Sequence, residues 1–255
     1  MEYVHSRFFQ FILLVLSLVI VLSPGPSMAG NTVTFALFSR EWAPFEMIVD
    51  GEPVGAAVEL FKALMPPDVE TTVELCPSPR SKLREPSGPV FARLESREWV
   101  KDAENFLWSE PVTSVKTVMY SSKTNPREYA GDASLYGLTV GCIKGFVYPI
   151  AEHLFARGKV VRYDVNDDLI LLRMVKAGRV DVAFFDDISI AWMISKSEEM
   201  NNSDFHIAGN HLGSEDLRFF FSKHKAWEER LPEINRLIRE KRADGTIDAI
   251  INRYR

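Results

Sequence analysis

The chain is short of several things, and each shortage closes a route. Only two cysteines, Cys76 and Cys142, occur in 255 residues, too few for a disulfide framework or a cysteine-rich metal cluster. An exported chain could pair them, but they are expected to fall in separate lobes and to remain two buried free thiols. The five histidines show no ligand spacing with one another, so neither a metal nor a cofactor is expected. Lys and Arg form no block within a net charge of −5, which makes nucleic acid an unexpected partner. No Ser-His-Asp or Cys-His arrangement is legible, so the chain does not read as an enzyme.

What is present begins with an address. Arg7 precedes an apolar run over 8–22, followed by two prolines and Ser27-Met28-Ala29. The run is short for a membrane span, and small residues at 27 and 29 fit signal-peptidase cleavage after Ala29. No cysteine follows the run, which excludes lipid attachment there. A periplasmic, soluble mature protein is expected. The leader carries only Glu2 and Arg7, so the net charge survives its removal. Residues 30–255 suffice for two lobes of about a hundred residues each.

The clearest stretch is 160–187, VVRYDVNDDLILLRMVKAGRVDVAFFDD. It reads as strand, helix, strand. Asn166 or Asp167 caps the helix, Leu171, Leu172 and Val175 recur at helical spacing, and Gly178 stands where a left-handed residue closes it. The apolar run 180–185 is that of a strand buried on both faces, interrupted by Asp181. It ends on Asp186 and Asp187. Ligands of open α/β sheets sit at the carboxyl ends of strands, so a carboxylate here can meet a ligand cation. The alternative is that either acid merely caps the helix beginning near Ile188.

From Thr32 the chain reads TVTFALFSREWAPFEMIVDGEPVGAAVELFKALM: a strand, a loop through Trp42 and Pro44, a hairpin at Asp50-Gly51, and an amphipathic helix. Three prolines and a glycine between 77 and 88 argue against a full helix there, and a short helix or irregular segment is expected. TVGCIKGFVYPIAEHLF, from Thr139, predicts a buried strand, a turn at Gly145 and a helix from Val147 with Pro149 in its first turn. The N–H groups of Gly145, Phe146, Val147 and Tyr148 would then face an anion; the alternative is that Tyr148 packs against the neighbouring lobe. Residues 115–121 are expected to form the first hinge strand. The end of the chain predicts a strand and two helices, the first with Leu231, Ile234, Leu237 and Ile238 on one face.

Several of these pieces resemble the extracellular solute-binding proteins of family 3, the amino-acid-type components of ABC importers. The resemblance rests on the aromatic-x-Pro-Phe-Glu of Trp42 to Glu46, on Val54-Gly55 entering a helix, on FLWSEPV at 106–112, and on Ala243-Asp244-Gly245-Thr246 before the last helix. It implies an α/β, two-lobed periplasmic-binding-protein-like fold of class II with two hinge strands. Residues 30–121 and 212–255 would form one lobe and 122–211 the other, after a signal peptide over 1–29. A small-molecule ligand would lie between the lobes, with Trp42 stacked on it and Asp186, the first acid after the strand, holding a positive group. The family's carboxylate-binding arginine would be Arg97, with Arg80 a second candidate and an exposed surface arginine the alternative. The implied partner is an inner-membrane ABC permease or a sensor, and the implied state a monomer. A dehydratase-like cleft enzyme and a ligand-free partner of a membrane sensor are the rival readings.

The chain departs from that family at Ala56-Ala57, at Phe146-Val147 and in the spacing of Arg97 from Glu110. Each departure removes a polar ligand partner. Weak binding of Glu, Asp and Lys is therefore expected, and better binding of an aromatic, apolar or cationic molecule.

Overall fold

The computed structural model describes residues 31–38, 42–76 and 89–255. The proposed signal peptide and Arg80 lie outside them.

Eleven strands and six α-helices are present among these residues: β1 (Thr32–Phe38), β2 (Met47–Val49), β3 (Glu52–Val54), α1 (Ala56–Leu64), β4 (Glu70–Cys76), β5 (Val90–Ser96), β6 (Phe106–Ser122), β7 (Thr139–Ile143), α2 (Glu152–Ala156), β8 (Val161–Val165), α3 (Asp168–Lys176), β9 (Val182–Asp186), α4 (Asp187–Lys196), β10 (Phe205–Ile207), β11 (Gly213–Ser222), α5 (Lys225–Ala243) and α6 (Thr246–Asn252). The main sheet runs β4-β1-β5-β11-β6-β9-β7-β8, with β10 beside β6, while β2 and β3 form a separate hairpin.

Two α/β lobes share the central antiparallel pair β6 and β11. β4, β1 and β5 lie on one side of that pair, all parallel, and β9, β7 and β8 on the other. β6 therefore begins in one lobe beside β11 and finishes in the other beside β9 and β10. The β6–β11 register shifts at Leu217 and Arg218, and such an irregularity bends a strand and strengthens its twist.

Each lobe buries apolar residues on both faces of its sheet. In the first, Val33, Phe35 and Leu37 enter one core with α1, α5 and α6, while Ala36 faces a smaller one. In the second, Val182 and Phe184 enter one core and Ala183 and Phe185 the other. This two-faced burial is why 180–185 is so continuously apolar; removing each large side chain from water contributes about 1.5–3 kcal/mol. Neither cysteine is in a disulfide, and both are buried, one in each lobe.

One expectation is corrected and another is not reached. The short helix or irregular segment expected over 77–88 lies outside the described residues, and the chain resumes after it in Val90–Ser96, a strand buried along its whole length. The helix expected from Val147 begins only at Glu152. Its start is displaced because Tyr148 is drawn into the core of its own lobe, not against the neighbouring one as the alternative had it, and its hydroxyl accepts from Ile143 N–H at 3.0 Å. Pro149 has no N–H, and the Glu152 side chain takes Tyr148 N–H at 3.0 Å.

Candidate functional site

A cleft of about 670 Å³ opens between the lobes and is lined from both. That volume lies in the range of small-molecule sites.

On the first lobe the chain returns after β1 at Trp42, in a loop closed by paired backbone bonds between Trp42 and Glu46 of 2.9 and 2.8 Å. The start of α1 seats this loop, because Ala56 and Ala57 N–H donate to the carbonyls of Pro44 and Phe45 at 2.9 and 3.0 Å. Gly55 makes the approach possible: its φ is 123°, and a Cβ there would collide with those same carbonyls. Ala56 and Ala57 are fully buried in the core beneath and do not line the cleft. The loop presents Trp42, stacked on Phe45 at 4.4 Å and edge-on to Trp99 at 6.0 Å.

Beside it, β5 carries Arg93 and Glu95. Two residues apart in a strand, they point to the same face. Arg93 is 1% exposed, yet three of its nitrogens are engaged: Nε with Glu95 Oε1 at 2.9 Å, one terminal nitrogen with Ala36 O at 2.5 Å, the other with Glu46 Oε1 at 3.2 Å. The guanidinium also lies 3.7 Å over the Phe38 ring. Burial pushes the Glu46 carboxyl above its usual value, against the pull of Arg93 and of Phe38 N–H.

The second lobe contributes the end of β9, the loop over 144–149 and the entry to α3. Asp167 caps α3, accepting from Ile170 N–H at 2.9 Å. Asp186 has two roles. It caps α4 by accepting from Ser189 N–H at 2.7 Å, and it accepts from Trp42 Nε1 at 3.1 Å, a direct bond between the lobes. Burial raises its carboxyl from 3.8 to about 6; hydrogen bonds from Ser189 and Trp42 pull it down, and Asp187 nearby pushes it up. Asp187 instead accepts from Lys116 N–H and does not line the cleft.

Six of the residues singled out in the sequence thus meet around one cavity: Trp42, Gly145, Phe146, Val147, Tyr148 and Asp186. The anion site expected of the four loop amides is not formed as predicted. Phe146 N–H donates to Ile143 O at 3.1 Å and Tyr148 N–H to Glu152, with no helix start behind them. Arg97 belongs to an exposed one-turn helix over Arg97–Trp99 and is absent from the cleft lining. Among the described residues the arginine that does line it is Arg93, which the sequence alone did not single out. The available signal was a charged pair at period two inside an otherwise apolar run.

Among the described residues no group of three or more His, Cys, Asp or Glu is arranged to hold a metal. No helix there is long and apolar enough to cross a membrane.

No protein-family model matches the chain, and no curated protein matches its sequence. Solved structures do match. An amino acid ABC transporter substrate-binding protein from Streptococcus pneumoniae, bound to L-arginine, is 20% identical with a TM-score of 0.64, covering 88% of this chain and 94% of that one. A Salmonella typhimurium periplasmic binding protein with high arginine specificity is 18% identical with a TM-score of 0.62, covering 88% and 99%. A histidine kinase sensor domain with similarity to periplasmic binding proteins is 19% identical with a TM-score of 0.68, covering 88% and 96%. The fold is that of the two-lobed, periplasmic-binding-protein-like architecture.

Proposed function

We propose that this chain is an exported solute-binding protein that captures a small organic molecule between its lobes and hands it to an inner-membrane ABC importer. The observation that carries the reading is the cleft itself, whose lining brings Trp42 and Trp99 from one lobe opposite Phe146 and Asp186 from the other. Aromatic walls with a few polar groups are what a small-molecule site requires. The two lobes joined through β6 and β11 supply a hinge about which such a cleft closes. Similar folds that carry amino acids for ABC importers support the reading, as does the apolar leader over 8–22.

Trp42 provides a stacking surface and Asp186 a hydrogen-bonding anion. Gly145, Phe146, Val147 and Tyr148 form the facing edge. No catalytic role is assigned to any residue. Coupling to a sensor is a second reading, favoured by the kinase sensor domain of similar fold.

Native mass spectrometry of protein recovered from a periplasmic fraction tests the capture. A retained small molecule, lost from an Asp186→Ala/Trp42→Ala variant, is the expected result. N-terminal sequencing of the same sample is expected to return Gly30. A full-length chain starting at Met1 contradicts export by cleavage.

A further inference from the structure

Arg162 does not line the cleft, yet it governs one of the walls that do. It lies opposite Val140 in the β7–β8 register, on the last strand of the main sheet's order, with only 20% of its side chain exposed. From there its guanidinium reaches the loop that follows β7. One terminal nitrogen donates to Phe146 O at 2.8 Å and, over a longer 3.4 Å, to Ile143 O; the other donates to Glu152 Oε1 at 3.1 Å. Nε is held by Asp164 Oδ1 at 2.9 Å. A planar fork can hold both ends of a loop at once, which a single ammonium cannot do.

The same Glu152 oxygen accepts Tyr148 N–H, and the Tyr148 ring lies 5.5 Å from the guanidinium, with that of Phe155 at 5.4 Å. Tyr148 is thereby turned inward. The two residues before it are turned outward, so that Phe146 and Val147 stay 44% and 41% exposed on the cleft wall. The loop has few donors left to offer beside them. The N–H groups of Lys144, Phe146 and Tyr148 are spent on Val165 O, Ile143 O and Glu152, and Pro149 has none. Apolar surface held open to water at a binding wall gains free energy when an apolar group covers it.

Building on the solute-binding reading, we infer that Arg162 is a positioning residue for ligand specificity: it locks the loop over 144–149 in the form that turns Phe146 and Val147 to the ligand, and the group received there is apolar. Arg162 touches no ligand itself. It acts through the carbonyls of Ile143 and Phe146 and through Glu152, which together decide whether this wall shows side chains or backbone N–H groups. Lys144 and Asp186 put both signs of charge on the same wall, so the loop selects for the apolar group and not for one charge.

Calorimetric titration of the mature protein tests this with pairs that share a charged group and differ by a phenyl ring: L-phenylalanine and L-alanine, phenethylamine and ethylamine, phenylacetate and acetate. In at least one pair the phenyl member is expected to bind about tenfold tighter or more, as burial of a ring requires. Arg162→Met keeps the length of the stem and removes the fork; it is expected to narrow that ratio by about fivefold to tenfold, as is Phe146→Ala. The two together are expected to narrow it no further than Phe146→Ala alone, because Arg162 acts through the loop that presents Phe146. Arg162→Lys serves where Arg162→Met does not fold, and with one donor group for three partners it is expected to narrow the ratio by about threefold. Equal affinity within every pair, an unchanged ratio in the Arg162 variant, or additive losses in the double variant would overturn the assignment while solute binding stands. If none of the six compounds binds, the assignment is also wrong. The solute-binding reading falls with it only if native mass spectrometry finds no retained molecule.

Discussion

On the wall made by β5 and the 42–46 loop, every ionic group on Arg93, Glu46 and Glu95 is met by another part of the same lobe. Across the cleft, Asp186 is met by a helix cap and by an indole from the opposite lobe. One wall is closed electrostatically and the other is open. The closed wall fixes shape: a buried ion cluster demands one arrangement of β1, the loop and β5, and costs much if any member is removed. The open wall keeps a desolvated charge ready, which is an expensive state unless something arrives to match it.

Removing the centre of the closed wall is the largest perturbation. Arg93→Met leaves Glu46 and Glu95 without their cation and is expected to destabilise the protein by about 3–5 kcal/mol in urea unfolding near neutral pH. The loss should shrink as the pH falls and the Glu46 carboxyl, already raised, takes up a proton. A loss below about 0.5 kcal/mol, as for an ordinary surface residue, would abolish the distinction between the walls.

The open wall is read through pH. The folded carboxyl of Asp186 titrates near 6 instead of 3.8, so between those values the folded protein holds a proton that the unfolded chain has released. Stability from this group is therefore full below about 3.8 and lost as the pH rises through 6, by no more than on the order of 3 kcal/mol. Asp187 beside it acts in the same direction. Asp186→Asn cannot titrate, so its stability relative to the wild type should improve by up to that amount between pH 4 and 7. A difference that is flat with pH would show that this carboxylate is not held at a cost.

Smaller effects follow from the contact between the walls. Trp42→Phe keeps an aromatic ring over Phe45 and removes the indole N–H from Asp186; a loss of about 1.5 kcal/mol is expected, the low end for a hydrogen bond to a charged acceptor. Arg97→Ala, on its exposed turn, should change stability by less than about 0.5 kcal/mol and leave ligand affinity unaltered. A tenfold loss of affinity in that variant would restore Arg97 as a ligand residue.

What was legible in the sequence was what depends on neighbours along the chain. The unit over 160–187 has its caps at Asp167 and Gly178 and its core face within one turn of each other, and the structure repeats it element for element. A rule about strand ends puts Asp186 at the cleft, and the rival reading of it as a helix cap also holds, since the one carboxylate lines the cleft and caps α4. The loop over 144–149 was misread because its geometry is set by Tyr148 reaching back to Ile143 and by Glu152 reaching forward, competitors that a helix-start pattern does not reveal. Arg93 was missed because a charged residue inside a buried strand makes sense only once Glu46, 47 positions earlier, is known to lie against it. Arg97 has the right residue type near the right place in the chain, but β5 ends one residue too early to carry it into the cleft.

The central claim is that a small molecule is held between the lobes and touches both. Hydrogen–deuterium exchange with and without a saturating amount of the small molecule retained in the native mass spectra reads that directly, since amides closed over by a ligand and by hinge closure slow together. The account predicts slowed exchange at 42–46 on one lobe and at 144–149 and 186–190 on the other, in the same titration and with the same midpoint. Protection confined to one lobe, or saturation of binding with no change at either wall, would contradict it.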